Sequence, residues 1–499
     1  MKLIRLLFTR VAPFRNVSRT PIHNWYSTET TTTTPTVSKR RPRKIELLYR
    51  RIAPLGNPNI SIVPVLDQWL HEGRTFNLSC MRFIIKELRH YRRYNHALQV
   101  SEWMSEKRAT LVTAADLAIR LNLMAKVHGI EEVENYFNST PEEMRTLEVY
   151  TALLNCFSQA KCVEKSECVM QKVRELGFTL NTTPYNVMLG LYSQTGDREK
   201  LDALLAEMEA KKIKFDNFTY GTLLNAYGNY LDIDRFERIL SKMESDPELD
   251  IDWMTYTVAA KHYLRAQLLD KALESLRKSE KLVAITKKKN EAYSAILTHY
   301  ATAGKKEDVL RVWEECKMCK VTNRDYMALM PSVLMFEDVE TAEKILKEWE
   351  SSNLTKDIRV PNFLISTYCA RGWTEKAEAL LERVKSEKWQ PPDAFTWFWM
   401  SFVYVKSNQM PKAVKALESA LSEFHPNIKW KARQETMIAC LKYLKDEGEF
   451  ERLNALIDSL KDKCLISAKI HENLVEYISG ECTIEDVFLG DSVEEVANK

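Results

Sequence analysis

The sequence predicts an all-α protein, a right-handed α-solenoid of stacked helix-turn-helix repeats about 35 residues long, and three observations carry that prediction. Glycine is scarce, with 13 in 499 residues against a usual share of about 7%. Strands and tight hairpins draw on glycine for positive φ, whereas a glycine inside a helix costs about 1 kcal/mol relative to alanine. Ring residues recur on a nearly fixed period at Tyr150, Tyr185, Tyr220, Tyr256, Tyr293 and Tyr326, continued by Pro361 and Trp397. Apolar pairs such as Met188-Leu189, Leu223-Leu224, Leu329-Met330 and Leu364-Ile365 follow these rungs by three and four residues, the spacing of a buried helix face. A single helix pair cannot bury such a stripe alone, so successive pairs must stack.

Taken in order, the first segment is residues 1–28. Arg5, Arg10, Arg15 and Arg19 are set among Leu3, Ile4, Leu6, Leu7, Phe8, Val11 and Phe14, and no acid precedes Glu29. An Arg-rich, acid-free amphipathic start reads as a mitochondrial transit peptide, which points to the mitochondrial matrix rather than the chloroplast. Residues 29–77 read as a linker and N-terminal leader. They open on the threonine run Thr30 to Thr34, and seven of the 16 prolines fall within the first 64 residues, so the helical body is expected after about residue 60. The net charge of +3 is unevenly spread: residues 1–44 hold ten bases and one acid, which leaves the remainder negative.

Within the body, a break follows several rungs by eleven residues, at Gly196-Asp197, Gly304-Lys305 and Gly372-Trp373. Small residues then appear at Ala342, Ala377 and Ala413, and a second apolar stripe ends at Val173, Met208, Met243 or Trp349. Each period is therefore helix, short turn, helix, short turn. The ten cysteines are scattered through helical sequence without a secretory context, which predicts free, mostly packed thiols.

The best copy of the period, residues 182–216, opens Thr182-Thr-Pro-Tyr-Asn-Val-Met-Leu and closes Ile213-Lys-Phe-Asp216. It resembles the unit of the pentatricopeptide repeat family, approximately Val-Thr-Tyr-Asn-x-Leu-Ile with a Gly turn and a closing Asp, and the near-constant length resembles the P class found in plant mitochondria. The 34-residue tetratricopeptide unit lacks both the Thr-Tyr-Asn entry and the terminal Asp. Extending the register gives an array of about 10–11 units over residues 78–468, followed by a C-terminal cap and acidic tail at 469–499. The resemblance implies that each repeat reads one base of a single-stranded RNA through its fifth and last residues, while the second residue packs on the base. On that reading Thr151 with Asn181 resembles the adenine combination, and Asn186 with Asp216 and Asn362 with Asp393 resemble the uracil combination. Thr257 is a further fifth-position candidate, but its partner Lys289 departs from the pattern. So do Gly221 with Asp252, Ser294 with Thr322 and Met327 with Asp357, and polar Glu148, Thr183, Glu291, Arg324 and Arg359 occupy stacking positions.

Other features carry weaker readings. Arg89-His-Tyr-Arg-Arg-Tyr94 and Lys287-Lys-Lys289 are either local phosphate-binding stripes on a negative body or solvated turns. Cys316 and Cys319 have zinc-ligand spacing without a companion pair, so coincidence is the better account. Residues 394–405 (AFTWFWMSFVYV) form either a fully buried helix or a protein-docking face. No stretch approaches the ~20 apolar residues of a membrane helix. No cofactor, metal or catalytic residue is expected, and the function expected is that of a non-enzymatic RNA-binding protein acting on processing, stability or translation of organelle transcripts. The competing expectation is a scaffold for proteins or the mitochondrial ribosome in which the base-reading pattern has decayed.

Overall fold

The structure is a computed structural model and describes residues 43–57, 60–74, 77–108, 112–178, 181–387, 389–424, 434–481 and 484–487. The expected transit peptide at 1–28 and the acidic tail beyond 487 lie outside the described residues. Among the described residues every regular element is helical. The chain divides into two compact units that adjoin in sequence between Ile251 and Asp252.

The first unit opens with α1 (Arg43–Ile52) and α2 (Val63–His71), so the segment expected to be a leader itself holds helices. Only α1 precedes the expected start near residue 60; Pro54 lies in the connector and Pro64 in the first turn of α2, where no intrahelical N–H is needed. The Arg93 guanidinium ties this pair to the next by donating to the carbonyls of Ala53 and Ile52 at 3.2 Å each, and Trp103 donates to Asp67 at 2.8 Å. Five helix pairs follow: α3 (Leu78–His90) with α4 (Tyr94–Arg108), α5 (Ala114–Val127) with α6 (Ile130–Ser139), α7 (Leu147–Gln159) with α8 (Val163–Glu175), α9 (Thr182–Thr195) with α10 (Arg198–Ala210), and α11 (Asn217–Tyr230) with α12 (Ile233–Ser245).

The second unit continues the pattern. It holds α13 (Trp253–Arg265) with α14 (Leu269–Val283), α15 (Lys289–Thr302) with α16 (Lys306–Lys317), α17 (Asn323–Leu334) with α18 (Val339–Ser351), α19 (Arg359–Arg371) with α20 (Thr374–Ser386), α21 (Ala394–Lys406) with α22 (Met410–Ser422), and α23 (Gln434–Asp446) with α24 (Phe450–Asp462), then α25 (Ala468–Ser479) and the short α26 (Ile484–Val487). Within each unit a first helix packs on its own second helix, and successive first helices from α5 to α11 and from α13 to α23 pack on one another.

Of the ring residues that set the register, Tyr256, Tyr293 and Trp397 are half-buried and the other tyrosines interior. Tyr185 is fully buried, and Tyr150, Tyr220 and Tyr326 nearly so, and the apolar pairs behind them are in the core. Tyr185 also donates to Glu207 on its own second helix at 2.8 Å, as Tyr326 does to Glu348 at 3.1 Å. From α3/α4 to α23/α24, the turn inside the pair carries one residue of positive φ, such as Gly196, Gly304 and Gly372 where the sequence shows a break, but also Lys161, Leu231, Glu337 and Asn408 where it does not.

A second tyrosine register, seven residues after the first, joins several repeats to the one before. Glu167 on α8 accepts from Tyr192 on α9 at 2.9 Å and pairs with Lys200 on α10 at 2.9 Å. Asp202 takes Tyr227 at 2.8 Å together with Arg235, Glu343 takes Tyr368 at 2.8 Å and Lys376 at 3.0 Å, and Glu378 pairs with Lys412 at 2.7 Å beside Tyr404. Many of the body's charges are thus committed to one another between repeats.

Helix α21 settles the aromatic segment as interior packing. Phe398, Trp399, Phe402 and Tyr404 are buried and Phe395 and Trp397 half-buried, with edge-to-face ring pairs at Phe395–Trp399 (6.3 Å) and Trp399–Phe402 (5.6 Å). The segment offers no exposed docking face.

Candidate nucleic-acid interface

At Asn181, Asp216, Asp252, Thr322 and Asp393 the last residue of a repeat is also the N-cap of the next first helix, and this double duty shapes the site. A helix N-terminus leaves backbone N–H groups without intrahelical partners, and Asp, Asn, Ser or Thr at the N-cap satisfies them. Asp216 caps α11 by accepting from the Thr219 N–H at 2.7 Å, Asp393 caps α21 by accepting from that of Thr396 at 2.9 Å, and Asn181 caps α9 through the Thr183 N–H at 2.9 Å. Capping alone would account for these side chains.

Two repeats do more than cap. Asn186 on α9 donates its amide Nδ2 to both carboxylate oxygens of Asp216, each at 3.1 Å. Asn362 on α19 donates to Asp393 at 3.1 Å. In both, the threonine three residues beyond the aspartate completes the set: the Thr219 hydroxyl lies 2.7 Å from Asn186 Oδ1 and 2.9 Å from Asp216 Oδ1, and the Thr396 hydroxyl lies 2.7 Å from Asn362 Oδ1 and 2.8 Å from Asp393 Oδ1. The two asparagines are buried and the aspartates more open. An asparagine amide has two N–H bonds and an ionised carboxylate about four lone-pair sites; with the two equal contacts of Asn186 shared by one N–H, each set keeps a donor and an acceptor unspent.

The remaining sequence-derived residues are not joined in this way. Thr151 donates to the Leu147 carbonyl of its own helix at 2.7 Å, no hydrogen bond links it to Asn181, and Asn181 is exposed. Thr257 donates to the Met254 carbonyl at 2.8 Å and is buried. Lys289, taken from sequence as the end of that repeat, is the first residue of α15, and Lys288 stands at the N-cap.

Two repeats exchange the acid and the hydroxyl. Thr322 caps α17 and Asp325 stands three residues on, fully buried. Its carboxylate accepts from the Thr322 N–H and hydroxyl at 2.8 Å each, from Asn290 at 2.7 Å and from Ser294 at 3.2 Å. Thr113 and Asp116 repeat the arrangement at α5, where Arg82 grips the carboxylate at 2.7 and 2.6 Å. Burial pushes the Asp116 carboxyl up, but the Arg82 and Thr113 hydrogen bonds outweigh it and hold it below the usual carboxylate range. Reading from sequence by fifth and last positions alone passed over Thr219, Thr396, Asp325 and Asp116. Their signal was a Thr or Asp three residues past each repeat boundary.

Neighbouring charges follow the same economy. Asp357 is clasped by Arg359 at 2.6 Å, and Arg324 stands 3.7 Å from Glu291, pairing the polar stacking positions of consecutive repeats. Lys287, Lys288 and Lys289 are exposed; in the Arg89 to Tyr94 segment Arg93 is spent on backbone carbonyls, while Arg89, His90, Tyr91 and Arg92 are exposed. Cys316 is buried and its thiol pushed up to about 12, chiefly by burial, which disfavours the thiolate a metal needs.

The pattern described as the PPR repeat family matches residues 180–229, and that described as PPR repeat matches 148–178, 218–247 and 360–388. A mitochondrial pentatricopeptide repeat-containing protein of Arabidopsis thaliana is 40% identical over 423 residues, covering 85% of this chain and 86% of the relative. The chain belongs to the pentatricopeptide repeat family. Another Arabidopsis thaliana member, large ribosomal subunit protein mL101 (rPPR4), is 40% identical to this pentatricopeptide repeat protein over 445 residues, covering 88% and 90% of the two chains. Among solved structures, the pentatricopeptide repeat protein PPR10 in complex with an 18-nt psaJ RNA element matches with a TM-score of 0.52 at 18% identity. The match covers 80% of this chain and 57% of that one, and at that identity the likeness is one of fold.

Proposed function

We propose that this pentatricopeptide repeat protein is a non-enzymatic RNA-binding protein of the mitochondrial matrix, which holds single-stranded organelle transcripts and affects their processing, stability or translation. Residues 1–28 act as the transit peptide, 29–77 as the leader, 78–468 as the repeat array and 469–499 as its cap and tail. The observation that carries the reading is the duplication of one hydrogen-bonded set, Asn186 with Asp216 and Asn362 with Asp393, at the same two places of two separate repeats, with matching distances. Each set keeps a donor and an acceptor within reach of a base edge. Thr151 with Asn181 supplies a third reading repeat and Thr257 a partial one. An electrophoretic shift on mitochondrial transcript fragments tests the proposal. Salt-sensitive binding that weakens on replacing Asn186 and Asp216 together by alanine is expected, and binding indifferent to that replacement counts against base reading.

A second reading rests on the likeness to mL101: the chain docks on the mitochondrial ribosome. Co-sedimentation with the large subunit that survives RNase treatment favours it, and a protein that runs free of ribosomes in gradients excludes it.

A further inference from the structure

We infer that base reading in this chain uses three residues per repeat, and that Thr219 and Thr396 are positioning residues which fix the orientation of the Asn186 and Asn362 amides. The inference rests on the base reading proposed above and deepens it.

The argument begins with an ambiguity in every asparagine: its Oδ1 and Nδ2 ends are nearly the same size, and rotation by about 180° exchanges an acceptor for a donor. A carboxylate only accepts, so the end of Asn186 facing Asp216 at 3.1 Å must be the amide N–H. Oδ1 then faces the Thr219 hydroxyl at 2.7 Å, while Asp216 Oδ1 lies 2.9 Å from the same oxygen; the hydroxyl has one proton, and the shorter contact, to Asn186 Oδ1, is favourable only if that proton points to it. Thr219 is fully buried, so water does not substitute for it. Remove the hydroxyl and Oδ1 loses its donor, so the amide is held through its Nδ2 end alone. Asn362, Asp393 and Thr396 repeat the geometry at 3.1 and 2.7 Å.

The exchanged repeats show what the third residue decides. With Thr322 at the cap and Asp325 in the inner place, the Ser294 hydroxyl donates to that carboxylate at 3.2 Å and the Thr322 hydroxyl at 2.8 Å. Each hydroxyl has a single proton, so both are turned inward and only lone pairs remain for a base. At the Thr113/Asp116 boundary the inner acid instead takes Arg82 at 2.6 Å. The third residue past the boundary thus sets whether the fifth residue presents a fixed donor beside an acceptor, acceptors only, or a neutralised cation.

The test uses the full mature chain, with 14-nucleotide oligo(U) and oligo(C) as probes and the ratio of their affinities as the readout. The double variant T219V/T396V keeps side-chain shape and loses both hydroxyls. It is expected to narrow the oligo(U) preference by about fivefold per repeat, the equivalent of one net hydrogen bond. T219S/T396S, which restores the hydroxyls, is expected to recover it. A second construction, the exchange D216T/T219D, keeps a capped helix and copies the Thr322/Asp325 arrangement. It is expected to lower the oligo(U) preference without lowering the melting temperature. A purely structural role would weaken both probes equally and leave the ratio unchanged. An unchanged ratio in T219V/T396V and in the exchange variant overturns the inference. A parent protein that shows no preference between the probes, or none that N186A/N362A removes, overturns the base reading itself.

Discussion

Glu207 shows how much one side chain can hold. Its carboxylate accepts from Arg174 on the preceding repeat at 3.0 and 2.7 Å, from Tyr185 at 2.8 Å and from Lys211 at 2.7 Å. Partial burial pushes its pKa up, but these hydrogen bonds pull it further the other way, to about 2. A carboxyl depressed on folding contributes stability that is present above its unfolded value of about 4.3 and is lost as pH falls through the folded value. Thermal melts between pH 6 and pH 2 should therefore show a steep acid limb, to which Asp338, also held near 2, contributes. Glu207→Gln should flatten part of that limb and cost about 1 kcal/mol near neutrality, a figure discounted for its exposure. An acid limb of unchanged slope in the variant would show that Glu207 is not its source.

At the scale of the element, the turn inside each helix pair is the most uniform feature and the least uniform in sequence. Gly196 sits at φ +79° and Leu231 occupies the corresponding turn of the next repeat at +58°. A Cβ at Gly196 would meet nothing within 4 Å, so the cost of Gly196→Ala is in the backbone alone, about 1 kcal/mol. Leu231→Gly should do the opposite and raise stability by roughly 0.5 kcal/mol, since the leucine is 52% exposed and gives up little packing while the left-handed strain is relieved. Urea titrations of both variants check the opposite signs. The same contrast explains what sequence could reveal. The helix pairs were legible because Tyr185, Met188 and Leu189 are buried on one face at helical spacing. Only the glycine turns were visible, because leucine, lysine or glutamate at a left-handed position looks like any exposed residue. α1, before residue 60, was hidden by the proline-rich sequence around it. In the candidate site, Asn186 with Asp216 was legible from family resemblance. The threonine that completes the set belongs to the following repeat, and a pairwise code does not look there.

For the molecule as a whole, the charge balance means something other than its sum. A negative body opposes RNA, whose non-specific affinity depends on phosphate neutralisation. The acids at 167, 202, 343 and 378 are matched one for one by Lys200, Arg235, Lys376 and Lys412 and by tyrosine hydroxyls, so they add little to the field felt by a bound strand. Lys376→Gln with Lys412→Gln should cost about 0.5 kcal/mol per pair and leave RNA affinity unchanged, whereas neutralising the exposed Lys287, Lys288 and Lys289 should lower affinity and the salt slope. Filter binding at several salt concentrations separates the two sets. Equal losses of affinity would show that the inter-repeat pairs also serve the strand.

Those inter-repeat joints share one construction: the acid comes from one repeat, and the tyrosine and the cation from the next. Any repeat ending in such an acid can therefore precede any repeat beginning with such a tyrosine and cation. Between repeats that carry the joint, a gene that duplicates or loses one whole period leaves no orphaned carboxylate at the junction, while a cut made elsewhere in the period leaves one. The joint makes the repeats interchangeable parts, and the length of RNA that such a chain covers can change by one period at a time without redesign of its core.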